Sequence, residues 1–334
     1  MGVELPHAES GDEIDFRGTK LGRAADHRQR GLTQLTPGRE LYVETRSLGT
    51  GAPDVAAITF GGMPLSIRDR PDEATGIAVL HAVLDAGVTL LDTADVYCLD
   101  DKDIGHNERL FAKALKTWSG DRSTLVVATK GGMIRPGGGW EYDGRPAHLK
   151  QACDKSLKAL HVDCIDLYQL HTPDPSVDFA DTVGSLAELQ DQGKIRWIGL
   201  SNVSVAQIEE ARAIVTVVSV QNRLNPFFRE AIDTGVVAHC AAEGIGFLAY
   251  SPVGGGRLNK KLPTHPTVVP IAQRLGASPH AVVLAWVMAQ GPNIIPIAAG
   301  RSVETALDST TASSLQLTDD DIAAMDQAEF SRAR

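Results

Sequence analysis

Short apolar runs alternate along most of this chain with longer stretches in which apolar residues recur every three or four positions. The runs predict strands over residues 58–61, 89–92, 125–129, 165–170, 195–200, 217–220, 246–250 and 294–297. The helical period predicts helices over 73–86, 147–160, 178–190, 205–213, 279–289 and 303–312. In the first of these Ile77, Leu80, Val83 and Leu84 share one face. Asp178, Ser204, Ser278 and Ser302 stand where helix N-caps belong, and Gly87, Gly193 and Gly244 where helices should stop. Ahead of this alternation, residues 42–45 alternate, 49–53 supply turn residues and 55–60 are apolar again, which predicts a hairpin feeding the first core strand.

Eight buried strands alternating with helices predict an α/β protein of the (β/α)8 TIM-barrel class with an N-terminal β-hairpin. A doubly wound dinucleotide fold would carry G-x-G-x-x-G in its first strand-to-helix turn, and Gly61-Gly62-Met63-Pro64 does not fit. Residues 1–38 are polar, without a sustained apolar period, and are expected to be a flexible extension; residues 39–334 form the single barrel domain.

Composition narrows the function. A hydrophobic content of 43% suits a sizeable core, and no apolar run reaches the roughly 18 residues that span a membrane. The polar N-terminus is no secretory signal, and a net charge of −10 argues against a nucleic-acid surface. Cys98, Cys153, Cys164 and Cys240 lack metal or disulfide spacing, so they read as free thiols of a cytoplasmic protein. Asp100, Asp101, Asp103, His106 and Glu108 cluster without the central Gly and distal Glu of a calcium loop; they read as a solvated acidic loop, with no metal expected.

The candidate chemistry lies at strand ends. Asp92, Lys130 and His171 close three successive predicted strands, and Tyr97 follows the first of them by five residues. Barrel active sites occupy that end of the strands. Reducing a carbonyl needs a hydride on carbon and a proton on oxygen. A phenol titrates near 10, and a neighbouring ammonium is expected to lower that value, so Lys130 would tune Tyr97. Asp92 would hold Lys130, and His171 would orient the carbonyl or relay the proton. Singly, these read as a turn residue, a loop aromatic, a surface lysine and a core histidine. Four in order, each at or just beyond a strand end, read as a catalytic set.

These blocks resemble the aldo-keto reductase superfamily from about residue 40 to 328. Leu91-Asp92-Thr93-Ala94-Asp95-Val96-Tyr97 is similar to that family's first signature, and Gly105-His106-Asn107-Glu108 continues it. The runs ending at Lys130 and His171, and the run from Gly193 to Asn202, match later blocks. The resemblance implies NAD(P)H-dependent carbonyl reduction with Tyr97 as general acid. It implies that Ser201, Asn202 and Gln221 hold the nicotinamide amide and that Tyr250 stacks on its ring. Ser251, Pro252, Gly254, Gly255 and Gly256 follow on the pyrophosphate side, and Gly62 and Met63 join the cofactor set after the first strand. Gly199–Val203 and Val220–Asn222 look similar to pyridoxal-reductase-like members.

One block departs from the pattern. Where relatives close the adenosine-phosphate pocket with Glu-Asn, this chain has Asp308-Ser309, and Thr305 replaces a frequent basic residue. Arg301 remains, and Ser302 can cap a helix facing the 2′-phosphate, so NADP(H) is favoured, with NAD(H) the alternative. The loop from Gly131 to Pro146, with Trp140 and Tyr142, and the pair Phe227 and Phe228 are expected to wall the pocket for a small carbonyl substrate, aldehydes, sugars and pyridoxal-like rings among them. Oligomeric state is left open. The competing reading is a nucleotide-sensing regulatory subunit of the same fold with slow turnover, for which the N-terminal extension would bind the partner.

Overall fold

The computed structural model describes residues 30–34 and 40–333. Among these, eight parallel strands close into a barrel: β1 (Thr59–Gly61), β2 (Leu90–Asp92), β3 (Val126–Gly131), β4 (Ile165–Leu170), β5 (Ile195–Ser201), β6 (Val217–Arg223), β7 (Gly246–Tyr250) and β8 (Ile294–Ala298). They neighbour in chain order, and β8 returns to β1. Each predicted strand lies within three residues of its observed ends. Such strands read as continuous apolar runs because parallel strands are covered on both faces.

The helices wrap the outside: α1 (Glu73–Asp85), α2 (His106–Thr117), α3 (Pro146–Leu160), α4 (Phe179–Asp191), α5 (Val205–Arg212), α6 (Val236–Ala242), α7 (Pro279–Ala289) and α8 (Val303–Thr310). Asp178, Ser204, Ser278 and Ser302 each accept a hydrogen bond from the first turn of their helix. Six further segments escaped the periodicity: α2, α6, Glu230–Asp233, Gly255–Leu258, Val268–Leu275 and Asp319–Gln327. In α2 the reason is visible. Its buried face carries Asn107 and Glu108 beside Leu110, Phe111 and Ala114, so polar members interrupt the apolar stripe. The expected solvated acidic loop is thereby corrected at one member: Glu108 is 1% exposed and accepts from Thr129 Oγ1 at 2.6 Å, whereas Asp100 and Asp101 lie near or at the surface.

A hairpin closes the bottom of the barrel. Its strands, Glu40–Ser47 and Asp54–Ala56, pair antiparallel with Thr45 opposite Ala56 and Ser47 opposite Asp54. Leu48 and Val55 pack against Leu90, Val126, Leu167, Val218, Leu248 and Ile295 inside the barrel. Gly49 has φ +136°, and a Cβ there would lie 1.9 Å from the Val218 carbonyl oxygen, so only glycine lets the plug seat. Within the stretch expected as an extension, Arg30–Gln34 pair with the first hairpin strand; residues 1–29 and 35–39 lie outside the described residues. No helix among the described residues is long and apolar enough to cross a membrane.

Arg46 rivets the plug to the barrel. Its Nη1 donates to the carbonyls of Met288 (2.9 Å), Gly291 (2.9 Å) and Ile294 (2.6 Å), with the side chain 11% exposed. Removing one charged donor leaves three carbonyls without it. Arg46→Ala is expected to cost about 2–4 kcal/mol, read as a lower urea midpoint with an unchanged slope. A midpoint equal to wild type would show that water replaces the guanidinium without loss.

Candidate active site

Barrel register brings the four sequence-predicted residues together. Asp92 ends β2, Lys130 lies one residue from the end of β3, and His171 follows β4, so they occupy the C-terminal rim on adjacent strands. Tyr97 arrives on the loop after β2, where Tyr97 N–H donates to the Ala94 carbonyl. Lys130 is fully buried, and its ammonium donates to both Asp92 carboxylate oxygens (2.6 and 2.8 Å), to the Thr93 carbonyl (2.9 Å) and to Tyr97 Oη (3.1 Å). The Tyr97 and His171 rings meet edge to face, centroids 5.8 Å apart.

Burial sets the protonation states. It opposes the Lys130 charge, but Asp92 and Tyr97 outweigh it, and the ammonium is held above its ordinary 10.5. Burial raises the Tyr97 phenol above its ordinary 10, and Lys130 pulls it down without overcoming that cost. Lys130 lowers the phenol as expected, but the net value is higher than 10 because desolvation of the phenolate outweighs one ammonium, so the hydroxyl keeps its proton. Burial and the Lys130 charge push His171 well below 6.5, so it is a neutral imidazole at neutral pH.

Gln169 and Asn107 escaped sequence reading as members of this network, and Gln221 was expected at the site only as a holder of the nicotinamide amide. Gln169 and Gln221, buried on β4 and β6, donate to Asp92 Oδ2 at 3.3 and 2.8 Å. Asn107 is a buried hub: its amide donates to the Gly62 carbonyl (2.8 Å) and to Ser66 Oγ (2.7 Å), and its Oδ1 accepts from Thr93 Oγ1 (2.5 Å). The run from His106 to Glu108 therefore braces the ends of β1, β2 and β3 from α2. A polar residue inside an apolar strand, as in Leu167-Tyr168-Gln169-Leu170, was the available signal.

A cavity of about 1000 Å³ opens over this rim, at the upper end of the usual size of a small-molecule site. Asp92, Tyr97 and His171 line it, as do Met63, Ser201, Asn202, Gln221, Tyr250, Ser251, Pro252, Gly255, Gly256, Arg301, Ser302 and Asp308. Gly62 and Gly254 do not. Cβ atoms there would strike Phe111 and Asn107 in the first case and Leu258 and Phe227 in the second, so close packing requires glycine at both. Phe227 and Phe228 also face elsewhere: Asn225 Oδ1 accepts from both backbone N–H groups, Phe227 meets Phe330, and Phe228 is stacked by Arg223 and Arg332. Asn202 and Ser251, with φ of +58° and +50°, hold left-handed backbone at the cavity wall. Asn202 spans it, donating to the His171 carbonyl (3.0 Å) and accepting from Tyr250 Oη (2.8 Å). Arg301 donates to the carbonyls of Pro64 (3.2 Å) and Arg68 (3.1 Å), and Asp308 accepts from Ser278 (2.6 Å).

Residues 57–329 match the model of the Aldo/keto reductase family. The chain is 31% identical over 312 residues to "Probable aldo-keto reductase 1" of Glycine max, covering 85% of this chain and 88% of that one. Its fold is similar to that of a thermostable aldo-keto reductase solved with the inhibitor epalrestat (TM-score 0.71, 27% identity, 84% of this chain and 98% of that one). It is also similar to that of the glycerol dehydrogenase of Gluconobacter oxydans (TM-score 0.74, 25% identity, 84% and 94%).

Asp95, two residues before Tyr97, is 4% exposed with Oδ1 unbonded, and burial followed by the Glu108 charge raises its carboxyl well above 3.8. A raised folded value means that stability present at low pH is lost as pH rises past the unfolded value. Asp95→Asn, which removes the ionisation, should match wild type near pH 4 and become progressively more stable toward pH 8. The gain is at most about 1.4 kcal/mol per pH unit. Parallel stability curves across that window would mean that Asp95 ionises freely where it sits.

Proposed function

The chain belongs to the aldo/keto reductase family, and from that premise we propose that it reduces an aldehyde or ketone to the alcohol with Tyr97 as proton donor and NADP(H) as the favoured cofactor. The observation that carries the reading is the buried ammonium of Lys130 joined at once to Asp92 and to Tyr97 Oη at 3.1 Å.

When bound, the nicotinamide supplies the hydride to the carbonyl carbon. Everything else falls to side chains. The carbonyl oxygen gains negative charge as the hydride arrives, and the Tyr97 hydroxyl faces the cavity with its proton retained. The neutral His171 imidazole offers a second hydrogen bond to that oxygen without competing for the proton. As the phenol gives its proton up, Lys130 stabilises the phenolate in a site of low dielectric, where one charge 3.1 Å away counts for much more than in water. Asp92 holds that charge in place, and Gln169 and Gln221 hold Asp92.

The cavity supports a dinucleotide. Ser201, Asn202 and Gln221 would hold the nicotinamide amide, and Tyr250 would cover the ring. Gly256 borders the cavity, and an added Cβ there would meet nothing within 4 Å, which suits close approach of a pyrophosphate to backbone. Arg301 and the capped start of α8 at Ser302 would take the adenosine end, and Arg301 favours the 2′-phosphate of NADP(H) over the bare ribose of NAD(H).

Tyr97→Phe should lower kcat by about 10³-fold or more while cofactor affinity stays within about two-fold. Because the phenol is raised rather than lowered, wild-type reduction should stay level through neutrality and decline only in the alkaline range. Near-wild-type turnover in the variant would remove Tyr97 as the donor. Arg301→Ala should weaken NADPH about ten-fold and NADH much less, read by titrating intrinsic fluorescence. Equal weakening of both would place Arg301 away from the 2′-phosphate.

A further inference from the structure

The mouth of the barrel divides by strand order. Ser201, Asn202, Gln221, Tyr250, Gly255, Gly256 and Arg301 come from β5 to β8 or the loops after them, and the catalytic set comes from β2 to β4. On the β1 to β4 side the cavity is lined by Met63, Ile67, Met133, Trp140, Tyr142 and Thr172, with no lysine or arginine among the lining residues of that half. No lining side chain of that half offers an anionic substrate a direct ion pair.

Trp140 and Tyr142 stand on an excursion from the end of β3, strands Met133–Ile134 and Glu141–Tyr142 paired antiparallel. Both aromatics are largely exposed toward the opening, at 45% and 54%. Such side chains on a loop would ordinarily sample several rotamers. Arg135 prevents this at Trp140. It is only 6% exposed and stacks its guanidinium on the indole at 3.9 Å. Its Nη2 donates to the carbonyls of Cys98 (3.2 Å) and Leu99 (3.0 Å), the two residues after Tyr97. Nε and Nη1 are buried without a partner. A guanidinium buried with two donors unbonded is costly. Gly138 lies against the Leu99 carbonyl, with φ +85°, which seats the excursion on the same loop.

We propose that Arg135 is a positioning residue that fixes Trp140 as a flat wall beside the general acid, and that the enzyme thereby selects uncharged planar aromatic carbonyls. Arg135 backs the indole on one face while the ring borders the cavity. Its hold on the Cys98 and Leu99 carbonyls ties that wall to the loop bearing Tyr97, so an aromatic ring lying against Trp140 would share the cavity with Tyr97 and His171. The proposal rests on the reductase reading of the same cavity.

The test compares three aldehydes with NADPH: benzaldehyde, cyclohexanecarbaldehyde of similar size, and the anionic 2-carboxybenzaldehyde. Wild type should prefer benzaldehyde over both others by about ten-fold or more in kcat/KM. Arg135→Met, which keeps bulk and loses charge and hydrogen bonds, should raise the benzaldehyde KM about ten-fold, with kcat within about two-fold and the cyclohexanecarbaldehyde KM nearly unchanged. Trp140→Leu should do the same, and the double variant should be no worse than either single one. Arg135→Lys should rescue little, since an ammonium cannot stack as a guanidinium does. Wild type that reduces all three equally, or an Arg135→Met that raises both neutral KM values together, overturns the proposal and leaves the reductase reading intact. NADPH binding with no turnover of any of the three overturns both.

Discussion

One buried ammonium organises this molecule's chemistry. Lys130 is fully buried inside the barrel, so its charge must be met by protein oxygen. Asp92 supplies two such atoms and the Thr93 carbonyl a third. The remaining direction is taken by Tyr97 Oη. The arrangement explains why the loop after β2 must fold back: Tyr97 satisfies the ammonium only if it returns to the axis of β3. It also explains the two glutamines, because a carboxylate that anchors a buried cation keeps its geometry only when its own lone pairs are filled.

The two ends of the barrel divide the labour. At the bottom, the hairpin, Leu48 and the Arg46 rivet make a sealed, apolar end. At the top, the chain tolerates left-handed Asn202 and Ser251, an unbonded Asp95 oxygen and unpaired Arg135 donors. Asn202 and Ser251 thus hold left-handed backbone at the cavity wall, and the plug and the helix layer supply compensating stability. Asn107 and Glu108 form the link between the two. They fasten α2, an element of the stabilising outer layer, to the strand ends that carry the catalytic set.

The phenol shows why tertiary context decides reactivity. A lysine beside a tyrosine, considered alone, lowers its pKa. Enclosing both raises it again, because low dielectric penalises the phenolate more than one shared ammonium compensates. For a donor in the proposed carbonyl reduction such a phenol would be useful: the proton would be present at rest and leave only as alkoxide character develops on the substrate. In that reading Lys130 would act on the phenolate left by the transfer rather than on the resting acid.

Much of this was legible in the chain. Apolar runs and N-cap residues placed all eight strands and six of the helices, because parallel barrel strands and capped helices impose local, periodic demands on sequence. The positions of Asp92, Lys130 and His171 at strand ends identified the rim of the site for the same reason. What escaped were features that depend on partners distant along the chain. Helix α2 was hidden because its buried face is partly polar, and Asn107 and Glu108 are compatible with burial only where Gly62, Thr93 and Thr129 await them. Gly62, Gly254, Phe227 and Phe228, each in a segment that borders the site, turned out to serve packing, since a side chain's direction follows from what it meets and not from its neighbours in sequence. By itself the sequence determined the barrel, because backbone periodicity is local, and it set Asp92, Lys130 and His171 at or just beyond strand ends. Tertiary structure alone decided the protonation of Tyr97, the network around Asp92 and the Arg135–Trp140 wall, because desolvation and long-range hydrogen bonds exist only once the chain has closed around them.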